Sequence, residues 1–428
     1  MQTIPFTRLN ETLYHEKLPN GLNVYVLPKP GFHKVYATFS TKYGSIDNHF
    51  QVEGQSKTTV PDGIAHFLEH KMFEEPTGDI FAEFASQGAS ANAFTSFDRT
   101  VYLFSATEKL EENLTTLINF VQNPYFTEQN VEKEKGIIGQ EINMYRDNPD
   151  WRSYFGLIEA LYQKHPVRID IAGTVESIAQ ITKDTLYECY HTFYHPSNMS
   201  LFVVGGVDVE QVMQLVRANQ AAKTFPPQGT IQRFFEPEPE QVGEPVKVIE
   251  LPVSLPKCLF GFKEPVQSGD GREALRKEMT MKIVLDALLS PSSKLFQDLY
   301  DDGLISDSFG HEYNSNSNYA FSVIGGDTKD PDELVRRVRE GLEQATAVGV
   351  EAASFERSKR KKIGAFMRMM NSPEALANEF TKYEYKQASL FDVLDVYESV
   401  TLEDANSRLK EHADFDRFAI SIVRSPQK

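Results

Sequence analysis

Residues 63–74 read GIAHFLEHKMFE, and the rest of the chain is understood from this segment outward. Its apolar residues Ile64, Phe67, Leu68 and Met72 recur at helical spacing, so a helix over Gly63–Phe73 is expected. On that helix His66 and His70 stand one turn apart on one face, with Glu69 beside them. Two imidazoles at this spacing can chelate one zinc ion, and a carboxylate in the same turn can take a proton from water that the metal acidifies. The order is H-x-x-E-H, the inverse of the commoner H-E-x-x-H. A chance occurrence is rare in a chain of 428 residues with 10 histidines.

A catalytic zinc takes three protein ligands, so a third must come from elsewhere. Thr127 reads as the N-cap of a long helix that runs to about Tyr145 and stops at Asp147-Asn148-Pro149. It carries Glu132, Glu134 and Glu141. Glu134 and Glu141 are seven apart and share a face, and Glu141 adjoins Ile137, Ile138 and Ile142. Residue chemistry alone leaves the choice between these two glutamates open.

Around these helices the chain alternates strands and helices. Leu18-Pro19-Asn20-Gly21 is a hairpin turn, and Leu22–Leu27 and Val35–Tyr43 read as strands. Gly44–Asp62 reads as a loop. A short helix runs from Asp79 to Gly88, two strands with a turn near Asp98 span Ser90–Ala106, and Glu108–Gln122 is an amphipathic helix. Asn198–Gly206 reads as a buried strand and a helix follows from about Val209. Proline, glycine and alternating Glu-Pro mark 224–245 as an extended linker. The second half then repeats the order of elements: strands within Val246–Phe262, a helix Glu273–Leu289, strands near Ile305–Tyr313 and Tyr319–Ile324, helices through Asp332–Val400, and a closing strand Phe418–Val423. The expected fold class is α+β. Two homologous α/β-sandwich domains, each an antiparallel-rich sheet with helices packed on it, span 1–223 (the metal-binding domain) and 246–428 (its homologue without the motif).

Composition narrows the partners. The chain holds 44 Lys and Arg against 61 Asp and Glu, a net charge of −17, which disfavours nucleic acid and anionic membranes. Forty per cent apolar and 25% charged residues suit a globular protein. No apolar run reaches the length of a membrane span and no secretory signal opens the chain, and two cysteines, Cys189 and Cys258, fit a reducing compartment. A cytoplasmic protein is expected. The cluster Cys189-x-His191-x-x-x-His195 is read as a packed helix end rather than a second metal site, the loop His165–Arg168 as a turn or a substrate contact, and the basic run Arg357–Lys362 as a solvated helix face.

Four ordered blocks, GIAHFLEHKMFE, GASANAFTSFDRTVYLF, VEKEKGIIGQEINM and YHPSNMSLFVVGGVD, resemble the inverzincin metallopeptidases, the family of pitrilysin, insulin-degrading enzyme and the mitochondrial processing peptidase. The likeness covers residues 12 to about 215, is weaker beyond 245, and is closest to short bacterial members with two homologous domains. It implies a zinc endopeptidase with one Zn2+ per chain, held by His66, His70 and Glu141, with Glu69 as general base. It assigns Glu134 as an accessory carboxylate behind the site, grouped with Glu69 in the catalytic machinery. It makes Asn92 and Ala93 the strand edge on which a peptide substrate, or a presequence-like segment, adds by main-chain hydrogen bonds within an enclosed chamber. The resemblance also implies an Arg and a Tyr, seven apart, in a C-terminal segment. The matching stretch Leu299–Asp307 has Tyr300 at the Arg position and Asp307 near the Tyr position. A heterodimer with a paralogous zinc-free chain that carries the Arg–Tyr pair is therefore expected. The alternative is a homodimer in which Tyr300 or Tyr313 supplies the donor. Two rivals remain: a non-catalytic structural subunit of the same fold in a heteromeric complex, and a purely structural zinc site. The first would have no reason to keep His66, Glu69, His70 and Glu141, and the second is usually closed by four ligands.

Overall fold

The computed structural model describes residues 1–76, 78–265 and 271–426. The chain forms two compact units. The first comprises residues 1–142, 169–235 and 370–385, and the second 143–168, 236–369 and the residues from 386 onward.

The first unit is built on a seven-stranded sheet of β1 (Gln2–Phe6), β2 (Glu11–Lys17), β3 (Asn23–Pro28), β4 (Val35–Thr41), β5 (Ser90–Thr95), β6 (Thr100–Ala106) and β7 (Met199–Gly205). Their spatial order is β1-β2-β3-β7-β4-β6-β5, so β5 is an edge strand. β7 runs parallel to β3 and antiparallel to β4. Every residue of β4 is buried, which requires cover on both faces. On one face Tyr102 of β6 meets Phe120 of helix Leu110–Val121. The other face is covered by helix Pro373–Tyr385: Phe380 stacks on Phe202 of β7 at 4.3 Å, and the hydroxyls of Tyr385 and Ser40 share a hydrogen bond of 2.8 Å.

The second unit carries a five-stranded sheet of β8 (Val246–Glu250), β9 (Lys257–Glu264), β10 (Gly310–Ser315), β11 (Ala320–Asp327) and β12 (Phe418–Arg424), in the order β8-β12-β9-β11-β10. Its first pair is parallel and the rest antiparallel, as in β3-β7-β4-β6-β5. The registers agree as well: Thr95 lies opposite Thr100 and Ser315 opposite Ala320, in each case the last residue of the edge strand facing the first of the next. The repeat expected from element order is thus a repeat of topology. Helix Pro149–Leu161 covers a face of this sheet.

A cut at 224–245 differs from these units by two exchanged helices. Helix Pro149–Leu161 packs in the second unit and helix Pro373–Tyr385 in the first, because each sheet has a second apolar face that its own half leaves bare. The Pro-rich stretch is not a loose tether either. Ile231–Arg233 pairs with His49–Val52, a short strand inside the segment expected as loop. Farther on, the Glu238 carboxylate accepts the backbone N–H groups of Gln163, Lys164 and His165 at 2.8–2.9 Å. The buried Lys263 ammonium donates to Glu238 and to the carbonyls of Pro239 and Gln241. No helix among the described residues is long and apolar enough to cross a membrane.

At the end of β9 in the second unit, Glu264 is buried against Arg408 and His412. Tyr313 donates to Glu264 at 2.8 Å and His412 Nε2 pairs with Ser322 at 2.9 Å. Burial pushes the Glu264 carboxyl upward, but His412 and Arg408 prevail and hold it well below the usual carboxylate range. A depressed carboxyl stabilises the fold above its unfolded pKa, and that contribution is lost as pH falls. Glu264→Ala should cost about 3–5 kcal/mol at pH 7, since it removes the one buried carboxylate that Arg408 and His412 share. Urea denaturation of both proteins from pH 7 to pH 3 should show the gap narrowing below the ordinary Glu pKa of about 4.3.

Candidate active site

The motif helix spans Ile64–Met72. Gly63, at φ 86°, turns the chain into it, and a Cβ there would lie 2.4 Å from the Ala172 carbonyl oxygen, so the entry is closed to other residues. Ile64, Ala65, Phe67 and Leu68 are fully buried, and His66 and Glu69 are buried with them. A helix sunk this deep holds its polar side chains in fixed rotamers, because packing decides their directions.

The long helix runs from Glu128 to Arg146. Thr127 and Asn130 cap it reciprocally, each side chain accepting the other's backbone N–H. Val131, Glu134, Ile138 and Ile142 form its buried stripe, whereas Ile137 is 45% exposed. This stripe brings Glu141 to the histidines. His66 Nε2 is 3.8 Å from Glu141 Oε1, and His70 Nε2 is 3.5 Å from Glu141 Oε2. One donor atom from each of the three lies within 4.8 Å of the others, the one such cluster of metal-ligating groups among the described residues. A tetrahedral zinc with bonds of about 2.0–2.1 Å holds its donors roughly 3.4 Å apart, so this donor set fits the ion.

Glu134 lies elsewhere. Its Oε1 is 3.1 Å from His70 Nδ1, on the far side of the ring from Glu141. It therefore does not face the space between the donors but lies behind the His70 ring, the place expected of an accessory carboxylate. Glu69 receives a hydrogen bond from the Thr95 hydroxyl of β5 at 2.9 Å. Thr95 carried no sign in the sequence beyond its place at the end of a strand.

Electrostatics separate the two imidazoles. Burial, with His70 nearby, pulls His66 down to about 3, so it is neutral, the form that binds metal. Burial also disfavours charge on His70, but the hydrogen bond that it donates to Glu134 and the carboxylates of Glu69 and Glu141 hold it above its ordinary value. Burial pushes Glu69 up to about 6.

Asn92 and Ala93 lie on β5, the sheet edge, opposite Leu103 and Tyr102 of β6. The Ala93 N–H is taken up by the Asn92 side chain at 2.9 Å. The other sequence signals are structural. Cys189 is buried, and His195 bonds Ser197 and the Pro226 carbonyl. His165 is buried and accepts the Val167 N–H. Arg357 donates to Ser354, Lys359 donates to the carbonyls of Glu398 and Val400, and Lys361 and Lys362 pair with Asp286, so four of the five basic residues in the run are tied into the fold. Tyr313 is buried on Glu264 and is not available as a donor, whereas Tyr300 is 46% exposed.

The second unit repeats this geometry without its chemistry. Ser315, at the register of Thr95, donates to Glu278 of helix Gly271–Leu289 at 3.2 Å. Glu278 thus stands where Glu69 stands, but its neighbours at the His66 and His70 positions are Leu275 and Met279, both buried. Lys282 and Lys386 neutralise it instead.

Residues 56–175 match the family model "Insulinase (Peptidase family M16)", and residues 180–362 match "Peptidase M16 inactive domain". The chain is 53% identical, over 99% of both chains, to a protein of Bacillus subtilis named uncharacterized zinc protease YmfH. It is 27% identical to zinc protease YmxG of the same organism, over 85% of this chain and 88% of that one. Among solved structures, an M16-like peptidase from Alicyclobacillus acidocaldarius superimposes with a TM-score of 0.95 at 40% identity, covering 97% of this chain and 99% of that one. A protease from Helicobacter pylori, 21% identical, shares the fold at a TM-score of 0.82 over 97% and 99% of the two chains. The chain belongs to the M16, pitrilysin-like peptidase family, whose relatives are named zinc proteases, in its short two-domain bacterial form.

Proposed function

We propose that this protein is a zinc-dependent endopeptidase that hydrolyses peptides, with Glu69 as its general base. The observation that carries this reading is the meeting of His66, His70 and Glu141 beside Glu69, next to an edge strand. One zinc per chain, held by those three residues, supplies Lewis acidity toward a water and the scissile carbonyl. Thr95 occupies Glu69 Oε2, which leaves Oε1 to take the water proton. The water oxygen bonds to the carbonyl carbon, the C–N bond breaks, and Glu69 hands the proton to the departing amine. Glu134 holds His70 in the tautomer with Nε2 free.

The peptide adds to β5 beside Asn92 and Ala93, so recognition reads main chain more than side chains. Reaction takes place in a chamber closed by a second chain. Tyr300, where the family places Arg, favours a paralogous partner that supplies the Arg–Tyr pair over a homodimer. Two unpaired thiols support a cytoplasmic setting.

Cleavage of a mixed fluorogenic peptide set by the chain with its paralogue should be chelator-sensitive. Glu69→Gln should retain zinc and lose activity by at least about 10²-fold, the scale of a general base. Full activity in that variant, or cleavage indifferent to chelator, removes the assignment. A rate for the chain alone that equals the rate of the mixture removes the partner. Ala93→Pro deletes the N–H that Asn92 Oδ1 takes up here and that a paired peptide would claim in its place, at a position where an edge strand tolerates proline. It should raise KM about tenfold, the worth of a single hydrogen bond, with zinc content unchanged.

A further inference from the structure

The residue after His70 is Lys71, and its side chain is fully buried. Lysine is almost never fully buried unless it is paired, because taking an ammonium out of water costs several kcal/mol. Were the position only a core filler, methionine would have nearly the same volume without that cost. Lys71 has two partners. Its ammonium contacts Glu74, and it lies 3.9 Å from Glu134 Oε2. Glu134 Oε1 is the atom that meets His70 Nδ1. The carboxylate is therefore divided, one oxygen toward the imidazole and one toward the ammonium. The first is a hydrogen bond and the second an ion pair without one, so a turn of the carboxylate toward Lys71 would be made at the imidazole's expense.

We propose that Lys71 is a positioning residue for the metal centre: it fixes the carboxylate of Glu134, and through it the ring of His70, with Nε2 presented to the ion. This rests on the reading of His66, His70 and Glu141 as the metal ligands. A second effect opposes it, since an ammonium near a dication repels it. Lys71 is in direct contact with Glu74 and close to Glu134, so its charge is matched locally and its residual field at the donors is weak. Orientation is then the larger effect, and removing the lysine should loosen zinc rather than tighten it.

The test is zinc affinity of the whole chain, measured by competition with a chromophoric chelator, alongside the melting temperature of the metal-free protein. Lys71→Met should weaken zinc binding about tenfold or more, the usual scale for a partner behind a ligand histidine. Lys71→Gln, which keeps a polar head, should do the same and serves if the methionine variant does not fold. Lys71→Arg should restore most of the affinity. Because both residues act through one contact, Lys71→Met added to Glu134→Gln should cost no more than Glu134→Gln alone. Unchanged zinc affinity with a lowered melting temperature would make Lys71 a packing residue and overturn the proposal. So would tighter zinc binding, which would show repulsion as its main effect, or additivity with Glu134→Gln. Failure of the metal reading has a separate signature: wild-type protein that binds no zinc.

Discussion

Carboxylates that repel one another have to be held within one small volume, and the first unit is arranged around that constraint. Glu69, Glu134 and Glu141 all act on His70, and Glu74 adjoins them through Lys71. Left alone, such a group would take up protons or turn outward. Here it is held by groups fixed in the motif helix: His70 Nδ1 meets Glu134, and the enclosed side chain of Lys71 meets Glu74 and approaches Glu134. The depth of helix Ile64–Met72 follows. A shallower helix would let water screen the carboxylates and let the side chains swing. The cap at Thr127, the stripe from Val131 to Ile142, and the close approach of Gly63 to Ala172 all bring two helices some sixty residues apart in sequence to one set of donors.

The second unit shows what the same topology does without that constraint. Glu278 sits at the end of an equivalent edge strand, with an equivalent hydroxyl on it, and two lysines satisfy it. Leu275 and Met279 in place of histidines remove the donors, and the lysines supply the positive charge that a metal would bring. The fold therefore provides the carboxylate–hydroxyl contact by architecture, whereas a metal centre needs the two imidazoles in addition. A further polar group in this unit, Glu264 with His412 and Ser322, has the order of an acid–base–hydroxyl triad, but Ser322 and His412 are enclosed and no substrate reaches them. It holds helix to sheet.

How much of this was legible in the sequence depends on the range of the interaction. His66, Glu69 and His70 lie within one turn, so periodicity alone places them together. Glu134 and Glu141 share a face, so periodicity could not say which one meets Nε2. That depends on where the long helix crosses the short one. Thr95 and Lys71 carry no mark in the sequence, because a strand-end threonine and a lysine amid carboxylates are ordinary until burial is known. The exchange of helices Pro149–Leu161 and Pro373–Tyr385 was illegible for the same reason, since amphipathicity shows that a helix has a face to bury but not which sheet receives it. The Glu-Pro run misled more simply. Its composition is that of a linker, yet one carboxylate in it, Glu238, caps three backbone N–H groups at once.

Placement of Thr95 ties recognition to chemistry on the proposed reading. Ala93 and Thr95 are two residues apart on β5 and lie on one face of the strand, about 6.6 Å apart along it. The first would hold the peptide main chain and the second holds the base. Register along an edge strand changes only in steps of a residue, and a one-residue slip turns every side chain to the opposite face. A peptide seated at Ala93 would thus meet Glu69 at a fixed distance along its own backbone, whatever its side chains. Cleavage position would then be set by where the peptide enters the edge, and selectivity by which peptides can extend there. That agrees with a site in which main-chain groups of β5 lie beside the Glu69 carboxylate.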